Sequence, residues 1–355
     1  MASEKASVAS IIKKASKKYD LAIGSLDEVT TEVIGLPCGN LSIDHILGVG
    51  GLPVGRIAEL YGKPSSGKST YALQVAAELQ RSIMEDKKAE HILYIDFEHA
   101  VDKVYAKNLG LNLEDDSVIF IQPDTLEQGG NLTRDLVDTG QIKLILWDSV
   151  AEALPDAIQS AETGQTQMAI RARVMSQFLQ QIYGPLFKND CTAIFLNHIQ
   201  EKISTSGYSR GITATTTPGG DALKFYSSVR MEFQQIGTSK GKRFNALTNE
   251  KEDFVVSSDI KVKVTKNKVA PPNRTCTCRI RYGKGFDNFW SASQVLQGYK
   301  KLPRSGAYFY FDKLPKLIHE DMAKSNTGRP FIQGEESLMN FADNHPDWRR
   351  LAIQD

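Results

Sequence analysis

Between residues 38 and 270, short apolar runs alternate with stretches of helical period. The runs predict strands at Ile57–Tyr61, His91–Asp96, Val118–Gln122, Lys143–Asp148 and Thr192–Asn197. The intervening stretches predict helices over Ser69–Glu85, Val101–Leu109, Leu126–Thr139 and Gln167–Phe187. Continuous apolar strands alternating with helices imply an α/β core, a mainly parallel central sheet with helices on both faces. Period-two runs at Val229–Gln235, Asp259–Thr265 and Thr275–Tyr282 predict strands that extend this sheet. Ahead of the core, residues 5–19 read as an N-terminal helix: Val8, Ile11, Ile12 and Ala15 share a face, flanked by Lys13, Lys14, Lys17 and Lys18. That face needs a cover, from a neighbouring subunit or from its own domain. After Gly285 short aromatic- and Lys-rich elements predict a small C-terminal α+β domain, which divides the chain into residues 1–36, 37–284 and 285–355.

Composition changes this picture little. The 355 residues are 41% hydrophobic and 24% charged, with a net charge of +1, so any basic surface must be local. Cys38, Cys191, Cys276 and Cys278 are too few and scattered for a disulfide framework, and a C-x-C without a second pair is not a zinc site. On an alternating strand Cys276 and Cys278 share one face, where packing is the expected role. No apolar stretch approaches 18 residues and no signal-peptide pattern precedes the core, so a cytoplasmic protein is expected, without a membrane partner.

Candidate chemistry begins at Gly62-Lys63-Pro64-Ser65-Ser66-Gly67-Lys68-Ser69-Thr70, directly after a predicted strand and before a helix. In that context G-x-x-x-x-G-K-S is a phosphate-binding loop. The glycines allow the tight turn, successive N–H groups point at phosphates, Lys68 reaches the β- and γ-phosphates, and Ser69 ligates Mg²⁺. ATP and Mg²⁺ are the implied cofactors. Asp148 closes the apolar run Leu144–Trp147, at the strand end where a carboxylate can hold Mg²⁺ beside the phosphates. Glu98, just past the strand ending at Asp96, places a second carboxylate at the same sheet edge. It could polarise an attacking water or simply cap a helix.

Residues 200–218 have no period and almost no core-forming side chains, as a functional loop or plain disorder would. Lys202, Tyr208 and Arg210 among many hydroxyls suit a single-stranded phosphate backbone. A second polar stretch, Ser160–Gln167, precedes the helix carrying Arg171 and Arg173. His198, at the end of the strand entering the first loop, could touch the γ-phosphate or pack as a structural histidine. Lys266 and Lys268 put two like charges on one strand face, which suits an opposing anion or a solvated edge.

Together these blocks resemble the RecA recombinase family over roughly residues 36–330. The matching text includes Gly39–Asp44, Gly48–Arg56, the phosphate loop, Asp96–Ala100, Trp147–Ala151, Arg173–Gln177, Gly219–Tyr226 and Lys266–Lys268. The resemblance implies a RecA-type ATPase core that forms a helical filament on single-stranded DNA and pairs it with homologous duplex DNA, aided by single-strand-binding and loader proteins. It implies that Glu98 is the catalytic carboxylate and that Asp102 and Tyr105 contact adenine. Met168, Arg171, Arg173, Ile199, Lys202, Tyr208, Arg210, Gly219 and Gly220 would belong to the DNA-binding segments. Lys266 and Lys268 would reach the γ-phosphate held by the adjacent subunit, and Lys224 and Phe225 would lie at the same interface.

This chain departs from the bacterial pattern in several places. His198 stands where Gln is usual and resembles the phage UvsX type, a phage- or plasmid-borne origin fitting these features. Gln180 and Gln200 replace usual arginines, Pro218 interrupts the Thr-Gly junction, and the acidic C-terminal tail is missing. Lys300, Lys301, Arg304, Lys313 and Lys316 could gather duplex DNA by counterion release or form a plain solvated surface. A hexameric helicase on the same core and a non-hydrolysing regulatory module are the alternative functions.

Overall fold

The computed structural model describes residues 7–19, 32–86, 88–159, 168–201, 215–218, 220–245, 250–313, 322–334, 337, 338 and 341. They fall into two compact units, Met1–Ile34 and Gly35–Asp355. The first unit holds α1 (Val8–Tyr19), which buries none of its residues.

The second unit runs β1 (Gly35–Leu36), α2 (Leu41–Leu47), β2 (Leu52–Pro53), β3 (Ile57–Gly62), α3 (Lys68–Asp86), β4 (His91–Asp96), α4 (Lys103–Asn108) and β5 (Val118–Ile121). It continues through α5 (Leu126–Val137), β6 (Ile142–Asp148), α6 (Asp156–Gln159), α7 (Met168–Lys188), β7 (Thr192–His198), β8 (Gln200–Glu201), β9 (Thr215–Thr216) and α8 (Ala222–Tyr226). Next come β10 (Val229–Asn245), β11 (Glu250–Asn267), β12 (Thr275–Arg281), β13 (Gly285–Phe286) and α9 (Asn288–Gly298), and then β14 (Arg304–Ser305), β15 (Tyr308–Tyr310) and β16 (Phe331–Gln333).

Nine strands form the central sheet in the order β13-β12-β11-β10-β3-β7-β6-β4-β5. Pairing from β10 to β5 is parallel, and β11, β12 and β13 are added antiparallel. This is the α/β class that the alternation of runs predicts. The inner parallel strands β3, β4, β6 and β7 are mainly apolar because both faces are covered. Along β6, Leu144 and Leu146 face one buried cluster with Val75 and Ala76 of α3, while Ile145 and Trp147 face another with Met175, Phe178 and Ile182 of α7. A third cluster joins Phe289, Ala292 and Leu296 of α9 to Phe309 and Phe311 beside the antiparallel sheet β14-β15-β16. Around it, Lys300, Arg304 and Lys313 are exposed, Lys301 is half-buried, and Lys316 lies outside the described residues.

Two strands run much further than their apolar pattern. β10 and β11 have 17 and 18 residues, whereas β3 covers β10 only from Val229 to Phe233. Past that cover Gln234, Gln235 and Ile236 of β10 are exposed, so the apolar alternation of its first residues is not continued there. The polar segment after His198 likewise starts and ends as a ladder, Gln200 opposite Thr216 and Glu201 opposite Thr215.

Candidate nucleotide and DNA site

β3 delivers the chain to the phosphate loop and α3 takes it away, starting at Lys68. Gly62 is required by close approach, since a Cβ there would stand 2.2 Å from the Phe233 carbonyl oxygen. Gly67 is required by its φ of +93° and by Ile280 Cδ1, 2.5 Å from where a Cβ would be. Between them Lys63, Pro64, Ser65 and Ser66 make the turn, Ser65 with φ 58°. Lys68 Nζ donates to the carbonyls of Gly62 (3.2 Å) and Lys63 (3.0 Å). Burial lowers its pKa, and the negative charges of Asp148, Glu98 and Glu152 oppose that shift. Ser66 Oγ is buried with no partner among the described residues.

β6 and β4 end side by side, with Asp148 in register with Asp96. Asp148 accepts from Tyr94 Oη at 3.3 Å and interacts with the Ser69 hydroxyl. Burial, then the nearby charge of Glu98, pushes its carboxyl up to about 7. Asp96 accepts from Glu98 N (3.1 Å) and Gln122 Nε2 (3.0 Å), fixing the turn that leaves the Glu98 side chain exposed at this edge. One carboxylate and one hydroxyl fit Mg²⁺, which takes its remaining ligands from phosphate and water.

Beyond the loop a cleft of about 270 Å³ is lined by Ser65, Ser66, Gly67, Lys68, Ser69 and Thr70, by Tyr105, and by Ser258, Ile260, Ile280 and Tyr282. Thr70 Oγ1 lies 3.0 Å from Tyr105 Oη, and Ser258 Oγ 2.6 Å from Tyr282 Oη. Asp102 does not line this cleft. Its Oδ1 accepts the N–H groups of Val104 (2.8 Å) and Tyr105 (3.1 Å), capping α4, so the helix starts after it and not at Val101.

The model for the RecA N-terminal domain matches residues 4–287. The chain is 41% identical over 307 residues to Protein RecA of Fusobacterium nucleatum, covering 86% of this chain and 75% of that relative. It is 37% identical over 337 residues to Protein RecA of Geobacter metallireducens (95% and 88%) and 37% over 341 residues to that of Rickettsia prowazekii (96% and 89%). The chain belongs to the RecA family.

The remaining candidate residues of this RecA-family chain divide by position. His198 ends β7 in register with Gly62. Its Nε2 is 4.0 Å from Glu152 Oε2, and its buried Nδ1 has no partner among the described residues. Lys266 and Lys268 do not lie at the phosphate loop of this chain. Lys266 pairs with Arg230 and Asn267 with Val229, which in turn faces Ala58 near the start of β3, whereas the loop leaves the other end at Gly62. Lys266 Nζ donates to the carbonyls of Lys224 and Phe225 (the latter at 3.1 Å) and Lys268 Nζ to that of Phe225 (3.3 Å), all near the end of α8. Burial first, then Lys268 and Arg230, lowers the Lys266 pKa. Phe225 is 75% exposed, which leaves an apolar face beside these two cations.

Of the DNA-segment residues, Met168 begins α7, and Arg171 is tied down, donating to the Ala151 carbonyl at 2.8 Å. Arg173 is exposed and Ile199 half-buried. Gly220 has φ +73°, and a Cβ there would meet Ala172 Cβ at 2.8 Å. Lys202, Tyr208, Arg210 and Gly219 lie outside the described residues, as does Ser160–Gln167. Sequence reasoning missed Tyr282, Ile280 and Ser258 on the cleft, and Glu152 beside His198. Tyr282 closes a period-two run and precedes Gly283 at φ +77°, a strand-end signal. No helix among the described residues is long and apolar enough to cross a membrane.

Proposed function

We propose that this RecA-family chain is a DNA-dependent ATPase that polymerises on single-stranded DNA and drives homologous pairing and strand exchange in the cytoplasm. The observation that carries this reading is the phosphate loop, with Asp148 and Glu98 brought to the same sheet edge. Backbone N–H groups of Lys63 and of residues 65–70, with the Lys68 side chain, bind the triphosphate, and Tyr105 and Tyr282 flank the base. Mg²⁺, held by Ser69 and Asp148, neutralises phosphate charge when bound. Glu98 orients and polarises the water that attacks the γ-phosphate. Lys266 and Lys268, at the far end of the sheet, serve the nucleotide of the next subunit, so that each ATP is also an intersubunit contact. α1 supplies a second such contact, and residues 285–355 gather duplex DNA. The RecA relatives over most of the chain favour this reading over a helicase or a regulatory module.

The test is joint-molecule formation. The purified chain, a homologous single strand, supercoiled duplex and Mg²⁺·ATP should yield a D-loop product that a heterologous strand does not. No product with ATP or with a slowly hydrolysed analogue would refute recombinase activity.

A further inference from the structure

Cys276 and Cys278 stand two residues apart on one face of β12, and their Sγ atoms lie 3.7 Å from each other. Nothing in the nucleotide chemistry uses them. They differ in access. Cys276 is half-buried and follows the exposed Thr275, whereas Cys278 is fully buried and donates to Asn40 Oδ1 at 3.5 Å. The other two cysteines, Cys38 and Cys191, are buried. Burial pushes the thiols of Cys38, Cys191 and Cys278 up, away from the reactive thiolate. Solvent therefore meets one sulfur, Cys276, with a second in contact behind it, the arrangement of an oxidisable cysteine beside a resolving one. The same strand face continues through Ile280 to Tyr282, and both line the nucleotide cleft. Ile280 Cδ1 is 2.5 Å from where a Cβ on Gly67 would be, so it lies directly against the phosphate loop. β13 pairs only with Ile280 and Arg281, so among the described strands β11 alone pairs with the Cys276–Cys278 step.

We propose that Cys276 and Cys278 are a peroxide-oxidised dithiol whose bridging weakens nucleotide binding in the cleft further along β12. The bridge follows from the thiols alone, and its effect rests on the nucleotide site proposed above. The Cys276 sulfur attacks one oxygen of hydrogen peroxide, the O–O bond breaks, and the departing hydroxide leaves as water with the thiol proton. The product is a sulfenic acid. The Cys278 sulfur then attacks the Cys276 sulfur, the S–O bond breaks, and a second water carries off the Cys278 proton. Two thiols are oxidised to one disulfide and the peroxide is reduced to two waters; an external dithiol reverses the bridge by exchange. Alternate residues of a strand are about 6.7 Å apart at Cα, against the usual disulfide span of about 5.5–6 Å. Closing the bridge draws the strand in and shifts Ile280 and Tyr282 with it. It also takes the Cys278 donor from Asn40, whose Nδ2 donates to Ser291 Oγ (3.0 Å) and Asn288 Oδ1 (3.3 Å) of α9.

The test treats the full-length chain with hydrogen peroxide, blocks remaining thiols with a maleimide, and digests with trypsin. Cleavage after Arg274 and Arg279 releases residues 275–279, which hold both cysteines and no other. By mass this peptide should have lost two hydrogens and escaped the maleimide, and dithiothreitol should restore both thiols. Affinity for a fluorescent ATP analogue with Mg²⁺ should fall by about fivefold or more, the range usual for coupled sites, and recover with the reductant. In Cys276→Ser, peroxide should leave that affinity where it was. Overoxidation of Cys276 without a bridge, a bridged chain that binds the analogue as the reduced one does, or an equal loss in Cys276→Ser would overturn the proposal. If Cys276→Ser does not fold, peptide mass and reversibility in the parent chain still decide it. A reduced chain that binds no analogue would refute the nucleotide site, while the peptide mass still judges the bridge.

Discussion

Glu59 and Arg230 form a buried ion pair across the parallel pairing of β3 and β10, three residues before the phosphate loop starts. Glu59 is 0% exposed, and its other oxygen accepts from Asn197 Nδ2 at 3.0 Å, so the carboxylate fastens three neighbouring strands. The Arg230 guanidinium also stacks 4.6 Å from the Tyr61 ring centre. Removing one partner strands a charge in the core. Glu59→Ala should lower unfolding free energy by about 3–5 kcal/mol, measured by denaturant titration. Arg230→Ala should come close to it, and the double variant should cost less than the sum.

Glu98 contributes no buried contact, so its replacement should separate chemistry from folding. Glu98→Gln should reduce DNA-stimulated phosphate release by about 10²–10⁴-fold while nucleotide still binds and the melting temperature holds. A variant that hydrolyses ATP at the parent rate would remove Glu98 from the mechanism.

The cleft places an aromatic ring from each half of the sheet, Tyr105 after β4 and Tyr282 after β12. Tyr282→Ala should raise the KM for ATP by about three- to tenfold, the worth of one aromatic stacking contact. Tyr105→Phe, which removes only the hydroxyl that meets Thr70, should do less. Steady-state kinetics at saturating DNA separates the two.

The raised carboxyl of Asp148 has a pH signature. Its pKa goes from an ordinary 3.8 to about 7, so between these values the native state holds a proton that the unfolded state has released. Nucleotide-free stability from this group therefore falls as pH rises through that window and is level above it. Asp148→Asn has no such charge to bury. In thermal melts it should match the parent near pH 4 and exceed it by a few °C, on the order of the shift from 1 kcal/mol or more, at pH 8.

The parallel strands were legible because burial on both faces forces continuous apolar runs, and β4, β6 and β7 fall within a residue or two of the expected positions. The phosphate loop and the carboxylates at Glu98 and Asp148 were legible for the same reason, since strand ends locate them. The outer part of β10 was not, because its described side chains past Phe233 are exposed or half-buried and impose no period. Asp102 shows another limit: its place as the cap of α4 appears only in the geometry, because an Asp before a helix is read equally well as a cap or a ligand. The place of Lys266 and Lys268 follows from strand register, which no local pattern records.

The order of strands also bears on biosynthesis. β3 is central, yet its two neighbours are β7 and β10, which begin at Thr192 and Val229. A ribosome adding about 5–20 residues per second takes on the order of 10–30 s to pass from Gly62 to Phe233. Until β7 is made both edges of the strand that carries the phosphate loop are bare, one edge stays bare until β10 is made, and the loop has no Tyr282 to face. The nascent chain thus carries an adhesive half-sheet well before it carries a nucleotide site.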